Sequence, residues 1–120
     1  MDQLPTAVLG RTGLEVTRLG FGTALYRLDK PHWTEDHADA VYNAVLDSGI
    51  NFLDCSNFYA PMDGRDSMAP LSEEILGRVL KTRRDEVVIT SKVFEQVGRG
   101  PNDGGSSRYH IMQEVERSLR

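Results

Sequence analysis

The chain has 120 residues, 39% hydrophobic and 27% charged, with a formal net charge of -4, which suits one soluble domain with its own core. Its 18 acidic against 14 basic residues argue against nucleic-acid binding, which needs a basic face; apolar runs as short as Val87-Val88-Ile89 argue against membrane insertion. The first twenty residues carry no secretory pattern, and Cys55 alone makes neither an internal disulfide nor a metal site, so a cytoplasmic location and no metal are expected.

Thr6-Ala7-Val8-Leu9 and Leu14-Glu15-Val16-Thr17 flank Gly10-Arg11-Thr12-Gly13, a short connection with glycine at each end that predicts a β-hairpin. Residues 16–21 then read as the first long strand, continuing toward Gly22 and Thr23. Thr34 is placed as a helix N-cap, with Glu35 and Asp36 where the helix dipole favours them. Ala38, Val41, Tyr42, Val45 and Leu46 form one apolar stripe, and Gly49 ends the helix. Residues 50–54 predict a strand finishing on the Asp54 carboxylate.

Residues 60–70, with their prolines, glycine and aspartates, read as a loop. Ser72 is expected to cap a second helix, with Glu73 and Glu74 in its first turn and Leu71 and Leu76 as a hydrophobic staple. Ile75, Leu76, Val79 and Leu80 would be its buried stripe, and Lys81, Arg83 and Arg84 suit its C-terminal dipole. Residues 86–92, rich in β-branched side chains, predict a strand ending at Lys92. Residues 98–107 form a glycine-rich loop. A third helix from about Ser107 would carry Ile111, Met112, Val115 and Leu119 on one face.

A hairpin followed by three strand–helix pairs makes the strands parallel and the class α/β. The third helix lacks a stop signal, and three parallel strands leave unpaired edges. The chain is therefore expected to be part of a longer α/β protein; a small complete fold with a frayed last helix is the alternative.

Ligands of parallel α/β sheets bind at the carboxyl ends of the strands. Asp54 and Lys92 would sit there on strands about 4.8 Å apart, with Tyr59 five residues beyond Asp54 folding over the same rim. A cation beside a tyrosine favours the phenolate and makes it a better proton donor near neutral pH. Such a group suits protonation of a carbonyl oxygen as a hydride reaches its carbon. From spacing alone, ordinary polar strand ends remain the competing reading.

Several motifs in order carry a resemblance. Leu9-Gly10-Arg11-Thr12-Gly13-Leu14-Glu15-Val16 with Leu19-Gly20-Phe21-Gly22-Thr23 resembles the opening of an aldo-keto reductase. Gly49-Ile50-Asn51-Phe52-Leu53-Asp54 with Tyr59, Ser72-Glu73-Glu74-Ile75-Leu76-Gly77, Val87-Val88-Ile89-Thr90-Ser91-Lys92-Val93 and Ser107-Arg108-Tyr109-His110-Ile111 continue it. The Gly98-Arg99-Gly100-Pro101-Asn102-Asp103 stretch is similar to the aryl-alcohol-dehydrogenase-like and potassium-channel β-subunit branches.

The resemblance implies that residues 1–120 are the N-terminal part of one oxidoreductase domain. They would supply the hairpin and first three βα units of a (β/α)8 TIM barrel, which typically needs about 250 residues. It implies NADP(H) as cofactor and a small carbonyl or alcohol as substrate. Tyr59 would be the general acid, Lys92 would activate it, and Asp54 would pair with Lys92. Gly22, Thr23 and Ala24, with Asp54, would lie beside the nicotinamide end. The family's tetrad histidine would fall beyond Arg120; His32, His37 and His110 are in the wrong places to replace it. The segments that hold the cofactor's adenosine phosphate also belong to later strands, so the isolated chain is expected to show little or no activity.

Cys55 and Ser56 stand where the family usually has Thr and Ala. Trp33 and Phe94 are candidates for pocket lining, with simple packing as the alternative; His110 is expected to be solvated and Cys55 inert. Gly20-Phe21-Gly22-Thr23-Ala24-Leu25 starts like a dinucleotide fingerprint but has Leu25 in place of the third small residue, and residues 98–107 lack a P-loop ending. Two other functions compete with the enzyme: a cofactor-binding regulatory subunit and a truncated product without function.

Overall fold

A computed structural model describes residues 3–24, 34–59 and 72–120. Strands β1 (Thr6–Val8) and β2 (Glu15–Thr17) pair antiparallel in register Thr6–Thr17, Ala7–Val16 and Val8–Glu15. Gly10 and Gly13 both take positive φ, 55° and 77°, a conformation that glycine adopts without the Cβ clash. The Thr12 hydroxyl closes the turn by donating to the Leu9 carbonyl at 2.7 Å.

The expected long strand is broken. β2 ends at Thr17, and β3 is only Phe21–Gly22. Between them the Thr17 hydroxyl donates to the Leu19 carbonyl at 2.8 Å, and a Cβ at Gly20 would lie 3.1 Å from the Phe52 ring. A local side-chain bond and a close backbone approach thus bend a stretch that apolar pattern reads as continuous.

β3, β4 (Phe52–Asp54) and β5 (Val88–Thr90) form a parallel sheet in that order. Their register pairs Gly22 with Asp54 and Asp54 with Thr90. The hairpin is fastened to the amino end of this sheet. Asn51 accepts the Thr17 N–H at 2.7 Å through Oδ1 and donates to the Glu15 carbonyl at 3.0 Å through Nδ2.

Helix α1 (Glu35–Asp47) is capped by Thr34, whose hydroxyl accepts the His37 N–H at 3.2 Å. Ala38, Tyr42 and Leu46 are buried, Val41 and Val45 half-buried, as the stripe predicts. Gly49 takes φ 89° just past the helix end. Helix α2 (Ser72–Val79) buries Ile75 and Leu76, with Leu80 just beyond. These residues join Leu53, Cys55 and Val87 in the core, where the edge of one ring of Phe21 and Tyr42 meets the face of the other at 5.7 Å.

Ser72 does not act as the expected cap. It is the first helical residue, and its hydroxyl donates to the Thr23 carbonyl at 3.2 Å, tying α2 to the end of β3. Leu71, the expected staple partner of Leu76, lies outside the described residues, as does the loop read at 60–70. Arg83 pairs with Asp47 and Glu86 around a 3-10 turn at Arg84–Glu86, so β5 starts later than expected and stops before Lys92.

Helix α3 (Arg108–Ser118) begins where expected, with the Ser107 hydroxyl accepting the His110 N–H. Its inward face is not the apolar one. His110 and Glu114, four residues apart on one face, are buried, whereas Ile111, Met112, Val115 and Leu119 are exposed. Asn57 Nδ2 donates to Glu114 Oε2 at 2.8 Å, a buried bond that ties the polar face inward. Among the described residues, no helix is long and apolar enough to cross a membrane.

Candidate active site

The parallel ladder continues past the strands. Thr23 N–H donates to the Asp54 carbonyl at 2.9 Å, Cys55 N–H to Thr90 at 2.7 Å and Asn57 N–H to Lys92 at 3.2 Å. These bonds bring Asp54, Tyr59 and Lys92 to the carboxyl rim of the sheet, away from the hairpin.

There the Lys92 ammonium donates to Asp54 Oδ2 at 2.8 Å, to the Cys55 carbonyl at 2.6 Å and to the Tyr59 hydroxyl oxygen at 3.0 Å. An ammonium has three protons, and each meets an oxygen. Thr90 fixes the other Asp54 oxygen, donating to Oδ1 at 2.8 Å. The hydrogen bond from Lys92 holds the Asp54 carboxyl below its ordinary 3.8, against a smaller opposing effect of burial. For Lys92, burial disfavours the ammonium, yet the bonds to Asp54 and Tyr59 and their charges outweigh it and raise its pKa above 10.5.

The segment that presents Tyr59 is held at both ends. Tyr59 N–H donates to the Ser56 carbonyl at 3.3 Å, and its own carbonyl accepts the Ser72 N–H at 2.8 Å. The side chains of Asp54 and Lys92 are 45% and 47% exposed, so the charged pair is open to a small molecule.

Gly22 is paired with Asp54, and a Cβ there would meet no atom within 4 Å. Thr23 is buried and Ala24 exposed. Phe94 is exposed and closes the following loop, its carbonyl accepting the Gly105 N–H at 2.6 Å; Trp33 lies outside the described residues. His110, expected in solvent, is fully buried, because α3 turns its polar face inward. Cys55 is buried, and that burial pushes its thiol pKa above 9.0. Among the described residues no group of His, Cys, Asp and Glu could hold a metal ion.

Sequence reasoning missed the Thr90 bond to Asp54, the Ser72 bond to Thr23 and the internal order of the loop at 98–107. Asp103 accepts the Gly100 N–H at 2.7 Å, and Gln96 Nε2 donates to the carbonyls of Gly98 and Gly100.

These features define an α/β protein with a phenol, an ammonium and a carboxylate hydrogen-bonded at the carboxyl ends of parallel strands. The model of the Aldo/keto reductase family matches residues 18–120, and the chain belongs to that family. It is 38% identical over 120 residues to "Uncharacterized oxidoreductase YrpG" of Bacillus subtilis (strain 168), covering 93% of this chain and 34% of that protein. It is 37% identical over 115 residues to "Probable voltage-gated potassium channel subunit beta" of Oryza sativa subsp. japonica, covering 93% and 32%. A solved structure described as "Putative aldo-keto reductase" from Pseudomonas aeruginosa superposes with a TM-score of 0.73 at 33% identity, covering 98% of this chain and 42% of that one. The chain thus spans about a third of the length of these curated relatives.

Proposed function

We propose that residues 1–120 supply the hairpin and first three βα units of a (β/α)8 barrel, the N-terminal part of one domain in an NADP(H)-dependent oxidoreductase. The whole protein interconverts aldehydes or ketones and alcohols and works in the cytoplasm. The observation that carries this reading is the Lys92 ammonium bonded at once to the Tyr59 hydroxyl and the Asp54 carboxylate.

The residues present fit the nicotinamide end of such a cofactor. Gly22 leaves open space beside the strand that carries Asp54, and Gly22, Thr23, Ala24 and Asp54 would hold it. When bound, the cofactor supplies a hydride to the carbonyl carbon. Tyr59 gives its hydroxyl proton to the carbonyl oxygen, so that an alcohol results. The Lys92 hydrogen bond to the Tyr59 oxygen stabilises the charge left on the phenol, a preorganised electrostatic contribution. Asp54 keeps Lys92 charged and aimed. Phe94 and Trp33 are the candidates for contact with the substrate.

The test is oxidation of NADPH by the full-length protein with a panel of aldehydes and ketones, followed by loss of the reduced cofactor's absorbance. Carbonyl-dependent turnover is expected, and a rate at background across the panel contradicts the proposal. The 120-residue chain alone is expected to stay at background, because the reading puts the tetrad histidine and adenosine-phosphate contacts outside it.

A second reading is favoured by the 37% identity to the plant protein named as a probable channel β subunit. In it the barrel binds cofactor and serves a partner protein. Tyr59→Phe separates the two, since it abolishes reduction but leaves partner binding intact.

A further inference from the structure

The segment between Asp54 and Tyr59 is held from behind by α3. Asn57 is buried at 7% exposure, and its Nδ2 donates to Glu114 Oε2 at 2.8 Å. Its backbone N–H donates to the Lys92 carbonyl at 3.2 Å, and the Ser56 hydroxyl reaches the same carbonyl at 3.4 Å. One short loop therefore grips the backbone of the lysine whose ammonium touches Tyr59, while its side chain is anchored to a helix.

The anchor is chemically expensive. Glu114 is 4% exposed, and a buried carboxylate is costly unless hydrogen bonds compensate it. Both of its oxygens are used: Oε2 by Asn57, and Oε1 by Arg117 Nη1 at 2.7 Å. The arrangement displaces the apolar side chains of α3 from its inward face, where an apolar contact would have served packing alone. The buried bond instead gives direction, which non-directional apolar contact cannot.

We propose that Asn57 and Glu114 are positioning residues for Tyr59. Their hydrogen bond fixes the 55–59 segment so that the Tyr59 hydroxyl stays in reach of the Lys92 ammonium. The proposal rests on Tyr59 as proton donor, and its test includes a readout that does not need turnover.

The full-length protein is labelled with 13C at the tyrosine Cζ. Tyr59→Phe identifies the Tyr59 resonance, and Lys92→Met gives its position without the ammonium contact. Asn57→Ala and Glu114→Leu are expected to move that resonance toward the Lys92→Met position. They are also expected to lower kcat roughly tenfold with KM changed by less than about twofold, the pattern of misplacement rather than lost binding. Glu114→Gln keeps an acceptor for Asn57 and is expected to hold the wild-type resonance and kcat. Asn57→Ser, milder in volume but too short to span the gap, carries the same test should Asn57→Ala fail to fold. A folded Asn57→Ala or Asn57→Ser variant with an unmoved Tyr59 resonance overturns the proposal. A moved resonance in a protein that reduces no carbonyl supports the positioning and overturns only the reductase reading.

Discussion

Lys92 directs its three ammonium protons at Asp54, Tyr59 and the Cys55 carbonyl, and the charge states around it follow from that sharing. Asp54 has its folded pKa depressed, so its contribution to stability is present above the unfolded value and is lost as pH falls through the folded value. The window lies below about 4, near the ordinary value for a carboxylate. Lys92 has a raised pKa, so its contribution is present below the unfolded value and is lost only in the alkaline range above 10.5. Both side chains are nearly half exposed, so solvent screening keeps these contributions small. Titration of the Asp54 carboxyl carbon by NMR should give a midpoint below 3.8; Lys92→Met should raise it, and a wild-type midpoint above 3.8 contradicts the pairing. Cys55 offers a second check. Its burial predicts slow alkylation by iodoacetamide at mildly alkaline pH in the folded protein and rapid alkylation in denaturant; equal rates contradict it. Tyr59, Lys92 and Asp54 were legible as site candidates because chemistry-bearing side chains stood near ends of apolar runs. Thr90 and the Asn57–Glu114 bond were not, because pairing register and helix facing decide them.

Helices α1 and α2 follow directly from their apolar periodicity, and their contact shows what holds them. Ile75 is fully buried, so Ile75→Ala should cost about 2–5 kcal/mol in urea unfolding. Arg78 bridges Glu35 and Asp39 at 2.8 and 2.6 Å, but these side chains are substantially exposed, so Arg78→Ala should cost less than about 1 kcal/mol. Comparable losses for the two would contradict the view that apolar burial, rather than ion pairs, joins these helices. The strands were less legible. A run of β-branched residues predicts extended chain, yet β5 holds only Val88–Thr90. Helix α3 shows a stronger override, since an apolar stripe is a sound guide only where the facing surface is apolar. Here the Asn57 amide faces α3, and Glu114 answers it.

The two ends of the parallel sheet differ in what they carry. The hairpin meets the amino end of the parallel strands through Asn51, and the polar residues gather at the carboxyl end. The α/β class was readable from the alternation of elements and the family from motifs spread along the chain. The sheet's order β3-β4-β5 then makes neighbours of Gly22, Asp54 and Thr90, which composition and periodicity could not do. The proposed chemistry depends on this arrangement, since β4 and the ends of its neighbours bring the proton donor, its lysine and the open Gly22 edge to one rim. The most direct measurement is kcat of Tyr59→Phe in the full-length protein, with NADPH and a carbonyl substrate that the wild type turns over. Loss of the general acid should lower kcat by about 10²–10⁴-fold while NADPH binding, read by fluorescence, stays near wild type. A Tyr59→Phe protein that turns over at the wild-type rate would contradict the account.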